Sequence, residues 1–211
     1  MHVSYMKEAC VTSKAEAATA ALKGANRLEL CVNLECGGLT PSSSIINEVM
    51  AQVQIPVRVM IRPRSGDFIY NDAEIEQMKA SIANCKTAQV EGIVFGVLNE
   101  GNTLNLKAIK ELSEYAQPLK IVIHKAIDAC EDPVVALKSL LKLSLIDTVL
   151  TSGGRETAED GIPILAQMIK IAGSKIEIMP AGKITKHNLT KLHSHLAARA
   201  YHGKLIVGAL N

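Results

Sequence analysis

Short apolar runs recur along the chain, and each is followed by a longer stretch in which apolar positions repeat every three or four residues. Compact apolar runs predict strands and the three-to-four spacing predicts helices, so the pattern predicts repeated strand–helix units. Strands are expected near 5–10 (YMKEAC), 27–31 (RLELC), 57–62 (VRVMIR), 91–96 (EGIVFG), 119–124 (LKIVIH), 146–151 (IDTVLT), 175–179 (KIEIM) and 199–202. Helices are expected at Ala15–Lys23 with Ser13 as its cap, Ser42–Val53, Asp72–Thr87, Leu104–Tyr115, Pro133–Lys142, Thr157–Ile171 and Lys186–His195. In the Asp72 helix, Ile75, Met78, Ile82 and Cys85 form one apolar stripe, which makes Cys85 a packing residue. Parallel strands joined by helical crossovers either close or stay open, and eight units favour closure. The expected fold is α/β, a (β/α)8 TIM-barrel-like single domain over residues 1–211.

Successive side chains alternate faces along a strand, so parity sorts the polar residues. Leu28 and Leu30 share one face, while Arg27, Glu29 and Cys31 share the other. Met6, Glu8 and Cys10 group together in the first strand, and Arg58, Met60 and Arg62 in the third. His124 stands opposite Ile121 and Ile123. Glu8, Glu29, Arg62 and His124 are therefore expected inside the barrel, with Asp67 and Asp128 in the loops just beyond. Buried charges cost several kcal/mol each unless they meet partners. Two readings fit such a set: an ion-pair network that plugs the barrel, or an active site, since barrel enzymes carry their chemistry at the C-terminal strand ends. As an active site it has the groups for acid–base work on a small anionic metabolite.

Cys10 and Cys31 end neighbouring strands, which lie about 4.8 Å apart, a spacing that allows their sulfurs to approach each other at the barrel mouth. Two soft thiolates suit Cu(I), and two small buried apolar residues are the plainer alternative. CVNLEC offers Cys36 as a third sulfur. No Cys-x-x-Cys or Cys-x-x-His pair occurs, so a closed zinc site is not expected. Glycine-rich turns follow the second, sixth and seventh strands, and Gly182, Lys183 and Gly208 occupy the usual anion-binding position of barrels.

Composition narrows the classes. Apolar residues make up 48% of the 211 positions and aromatics only 3%, as in an aliphatic core around parallel strands. A net charge of +2 with both signs interspersed gives no basic stripe, so nucleic-acid binding is not expected. The N-terminal residues do not read as a signal peptide and no apolar run is long enough to span a bilayer, so a cytoplasmic protein without a membrane partner is expected. The five cysteines, Cys10, Cys31, Cys36, Cys85 and Cys130, are then reduced thiols. Outer helices rich in Ala, Ile and Leu point to a homo-oligomer.

The strings RLELCVNLECGGLTPS (27–42), PVRVMIRPRSGDFIYN (56–71), EGIVFGVL (91–98), PLKIVIHKAID (118–128), LTSGG (150–154) and IEIMP (176–180) resemble the successive signature blocks of the CutC copper homeostasis family. The resemblance implies a cytoplasmic, oligomeric TIM-barrel-like protein that binds Cu(I) through Cys10 and Cys31. It also implies that Glu8, Glu29, Arg62, Asp67, His124 and Asp128 occupy the family's charged interior positions. The chain departs from the family pattern where Lys125 and Ile127 replace Arg and Phe, and where Ala181 interrupts a glycine run.

Overall fold

The computed structural model describes residues 5–210, and among them eight strands alternate with seven helices. The strands are β1 (Met6–Val11), β2 (Arg27–Leu30), β3 (Val57–Met60), β4 (Gly92–Phe95), β5 (Lys120–Ile123), β6 (Thr148–Thr151), β7 (Glu177–Pro180) and β8 (Ala200–Gly203). All ladders are parallel, in the order β7-β6-β5-β4-β3-β2-β1-β8. The result is a nearly closed (β/α)8 barrel whose seam lies between β7 and β8. Just past that seam a parallel bridge joins Thr185 to Leu205. Pro180 ends β7 beside it, and a proline belongs where no ladder hydrogen bond is required of its nitrogen.

The helices are α1 (Lys14–Leu22), α2 (Ser43–Gln52), α3 (Asp72–Thr87), α4 (Leu106–Ala116), α5 (Pro133–Leu140), α6 (Ile162–Ala172) and α7 (Leu189–Leu196). Local chemistry sets their starts. Ser13 caps α1 by accepting from the Glu16 amide, and Asn71 and Glu74 form a reciprocal capping box on α3. Two helices, α6 and α7, begin well after the start the apolar periodicity predicts. Residues 157–161 form a turn held by Thr157 and Asp160, and α6 starts only at Gly161–Ile162 with Pro163 in its first turn. Asn188 ties back to Thr185, which delays α7 to Leu189.

Parity divides the apolar residues into two clusters. The larger lies between sheet and helices and includes Leu28, Leu30, Val59, Ile93, Ile121 and the α3 stripe Met78, Ile82 and Cys85. The smaller fills the barrel itself with Cys10, Cys31, Met60, Val94, Val122, Leu150, Met179, Ala181 and Ala200. Below this plug lies a polar layer, and above it the barrel opens into a cavity.

Candidate metal and ligand site at the barrel mouth

Register brings the interior charges together. Glu8 on β1 pairs with Arg27 on β2 and with His202 on β8, and Glu29 lies opposite Cys10 on one side and Arg58 on the other. The Glu8 side chain is fully buried and accepts from Arg27 Nε, from Arg58 Nη1 at 3.4 Å and from His202 Nδ1 at 2.9 Å. Arg58 also reaches Glu91 at 2.6 Å, and Arg27 reaches Glu177 at 3.5 Å. Burial alone would raise the Glu8 acid, but the His202 hydrogen bond and the two arginines outweigh it and hold it at about 2. Arg27, Arg58 and Glu8 therefore form a structural ion network across the barrel floor. The two arginines were on the interior face by parity. Their long side chains turn down to neutralise Glu8 rather than toward the mouth.

Above this floor, Cys10 Sγ and Cys31 Sγ lie 3.6 Å apart and both are buried. The Cys31 hydrogen bond, burial and Glu29 together push the Cys10 thiol well above its ordinary range. One ligand atom each from Cys10, Glu29 and His202 lie within 4.8 Å of one another. His202 Nε2 is 3.8 Å from Glu29 Oε1, and Glu29 Oε2 is buried with no hydrogen-bond partner. Burial raises the Glu29 acid; burial would lower His202, but Glu29 and Glu8 reverse that and raise it. His202 was not among the sequence-predicted site residues. The signal was present, since Ala200 and His202 alternate with Tyr201 in β8 as inward positions do.

These groups line the floor of a cavity of about 260 Å³ at the C-terminal strand ends, with Leu34, Phe68 and Leu150 as its apolar walls. Arg62 and His124 border it. Arg62 donates to the carbonyls of Cys36 (2.7 Å), Gly38 (3.3 Å) and Gly66 (2.8 Å), and its guanidinium lies 4.8 Å from the Phe68 ring. His124 Nδ1 accepts from the Ala126 amide, which leaves Nε2 as the protonated nitrogen, buried and unpaired. Burial and Arg62 hold the His124 imidazolium acid down at about 3. A larger hollow of about 510 Å³, lined by Lys120, Asp147 and Lys175, opens at the N-terminal ends of β5–β7. That end of a barrel serves stability rather than chemistry.

Other candidate residues go elsewhere. Asp67 is exposed (61% of its side chain) and pairs with Arg64 outside the cavity, because the MIRPRSGDF loop turns it outward. Asp128 is consumed within the fold: it accepts from Thr151 Oγ1, Ser152 N and Oγ, and Gly154 N. Cys36 is exposed on a short turn (Leu34–Cys36) and does not join the other two sulfurs. Gly182 and Lys183 line the cavity, but Lys183 pairs with Glu156. Gly208 lies apart, its amide bonded to the Leu205 carbonyl.

The class these observations define is a (β/α)8 barrel with a cluster of possible metal donors, Cys10, Glu29 and His202, on the floor of its mouth. The CutC family profile matches residues 5–207, and the chain belongs to the CutC family. It is 41% identical over 198 residues to the copper homeostasis protein cutC homolog of Homo sapiens, covering 94% of this chain and 72% of that protein. It is 38% identical over 196 residues to a CutC family protein of Parabacteroides distasonis, covering 92% and 80%. The crystal structure of a putative copper homeostasis protein CutC from Streptococcus agalactiae superposes with a TM-score of 0.89 at 30% identity, covering 96% of this chain and 99% of that one. Among the described residues no helix is long and apolar enough to cross a membrane.

Proposed function

We propose that this protein binds Cu(I) for copper homeostasis in the cytoplasm, holding the ion between the thiolates of Cys10 and Cys31. The 3.6 Å sulfur separation on the floor of an open cavity carries this reading. Metal–sulfur bonds of about 2.3 Å span such a gap without moving the strands. The donors are soft, which selects Cu(I) over hard cations, and Met60 and Met179 in the same plug keep the surroundings polarizable and dry. Binding is a ligand exchange: the copper stays Cu(I), two S–Cu bonds form and the thiol protons pass to solvent. A reducing compartment keeps both thiols and Cu(I) in these states. Anaerobic titration against a chromophoric Cu(I) chelator should give one tightly held ion per chain. Cys10→Ser and Cys31→Ser should each lower the affinity at least 100-fold, and full uptake by either variant would refute the assignment.

A second reading, binding of a small anionic metabolite, rests on a different observation. His124 Nε2–H and Arg62 Nε are buried at the cavity edge without partners, and Arg62 meets carbonyls but no carboxylate. Unpaired buried donors cost about 1–3 kcal/mol each, which an oxyanion would recover. Phosphate or oxalate should then raise the Tm of the full chain, and Arg62→Lys should remove that shift, since lysine cannot replace the guanidinium fork. Equal shifts in both proteins would exclude the site.

A further inference from the structure

Cys10 faces two different sets of donors. One is Cys31, its partner in the thiolate pair, with Sγ 3.6 Å away. The other is Glu29 and His202, and the three ligand atoms of Cys10, Glu29 and His202 lie within 4.8 Å of one another. We propose that Cys10, Glu29 and His202 form a second, divalent-cation site that shares Cys10 with the thiolate pair, and that zinc(II) is the ion it takes.

The orientation of His202 argues first. Its Nδ1 is held by Glu8 Oε1 at 2.9 Å, so Nε2 is the nitrogen presented to Glu29. A carboxylate behind one imidazole nitrogen and an open donor at the other is the arrangement that fixes a metal-ligating histidine. Glu8 is itself anchored by Arg27 and Arg58, so the imidazole cannot swing freely. Glu29 argues second. Its Oε2 is buried and has no hydrogen-bond partner among the described residues, and a buried carboxylate oxygen of that kind is one a cation stabilises.

Charge and donor type select the ion. One thiolate, one carboxylate and a neutral imidazole carry two negative charges, which a divalent ion cancels and Cu(I) does not. Sulfur, nitrogen and oxygen in one set suit zinc, which accepts all three, whereas Cu(I) favours the two sulfurs. Bonds of about 2.0–2.3 Å place tetrahedral donors about 3.3–3.8 Å apart, so the trio, within 4.8 Å, closes by up to about 1.5 Å on loading. The Cys10 thiol and the imidazole Nε2 give up their protons, and no oxidation state changes. Three protein donors leave a fourth position facing the cavity, open to water or to a ligand. Because both ions need Cys10, zinc and Cu(I) exclude one another.

This site was not readable from sequence spacing, which shows no Cys-x-x-Cys or Cys-x-x-His pair. The donors come from β1, β2 and β8 and meet only through the strand register.

Metal-free full-length protein is titrated with zinc(II) against a competing chelator, and with cobalt(II) as a spectroscopic stand-in. We expect one zinc per chain, and for cobalt a thiolate charge-transfer band with tetrahedral d–d absorption. His202→Asn keeps a donor toward Glu8 and removes Nε2; it should weaken zinc at least 100-fold and leave Cu(I) uptake within a few-fold. Glu29→Gln should weaken zinc at least 10-fold. Cys31→Ser should retain zinc while losing Cu(I), and Cys10→Ser should lose both. Zinc affinity unchanged in His202→Asn, or cobalt binding without the charge-transfer band, overturns the proposal. Loss of zinc in Cys31→Ser overturns it as well, since one thiolate-pair site would then serve both ions. Failure of the unsubstituted protein to bind Cu(I), with zinc binding as expected, would count only against the thiolate pair.

Discussion

At the scale of single residues, a bare Cα decides where His124 sits. A Cβ at Gly96 would lie 2.7 Å from both Cε1 and Nδ1 of the imidazole and 2.7 Å from the Ala126 Cβ. The glycine just after β4 therefore makes the space in which the ring stands and caps the Ala126 amide. Gly96→Ala should destabilise the fold by about 1–3 kcal/mol through overpacking, measured by urea denaturation. The same variant should shift the His124 ring nitrogen resonances, and unchanged resonances would show that the ring does not depend on this contact. Strand parity made the inward aim of His124 legible. Its neutrality was not, because that depends on burial and on Arg62, which the fold brings up from another strand.

At the scale of elements, the apolar periodicity located every strand to within a few residues, since all are short and all but β8 (Ala-Tyr-His-Gly) carry an aliphatic face. It overran at α6 and α7, where side chain to backbone turns at Thr157 and Asn188 compete with the first helical turn. It also placed Asp128 correctly in the loop after β5 without revealing its work. There the carboxylate receives two amides and two hydroxyls from the last residue of β6 and the segment after it, and so staples two βα loops together. Asp128→Ala leaves those donors without their acceptor. A loss of about 2–4 kcal/mol is expected from the lost charge-assisted bonds, with Cu(I) stoichiometry at the thiolate pair retained. A variant as stable as the parent in urea would show that the staple contributes nothing.

At the scale of the whole molecule, the barrel is filled by two kinds of interior, an aliphatic plug and a charged floor, and the floor makes stability depend on pH. Parity could assign Glu8, Arg27 and Arg58 to the interior but not to one another, because their meeting depends on the register of three neighbouring strands, which parity does not fix. The Glu8 acid drops from 4.5 to about 2 on folding, so the unfolded chain takes up its proton first as pH falls. Its contribution is complete above pH 4.5 and fades toward pH 2. His124 acts in the same direction over a higher window. Buried and neutral, it resists protonation until about pH 3, whereas the unfolded chain protonates from 6.5 downward. Glu29, whose acid is raised by burial, works in the opposite sense and offsets part of the loss. Urea denaturation at stepped pH should therefore show stability falling by a few kcal/mol between pH 6.5 and 2. Glu8→Gln leaves Arg27 and Arg58 facing a neutral group, and should cost about 3–5 kcal/mol at neutral pH. Below pH 4.5 its stability should fall less steeply than the parent's, because the group that titrates there is gone. Parallel curves for the two proteins across that window would mean that the acid lability of the barrel arises outside its floor.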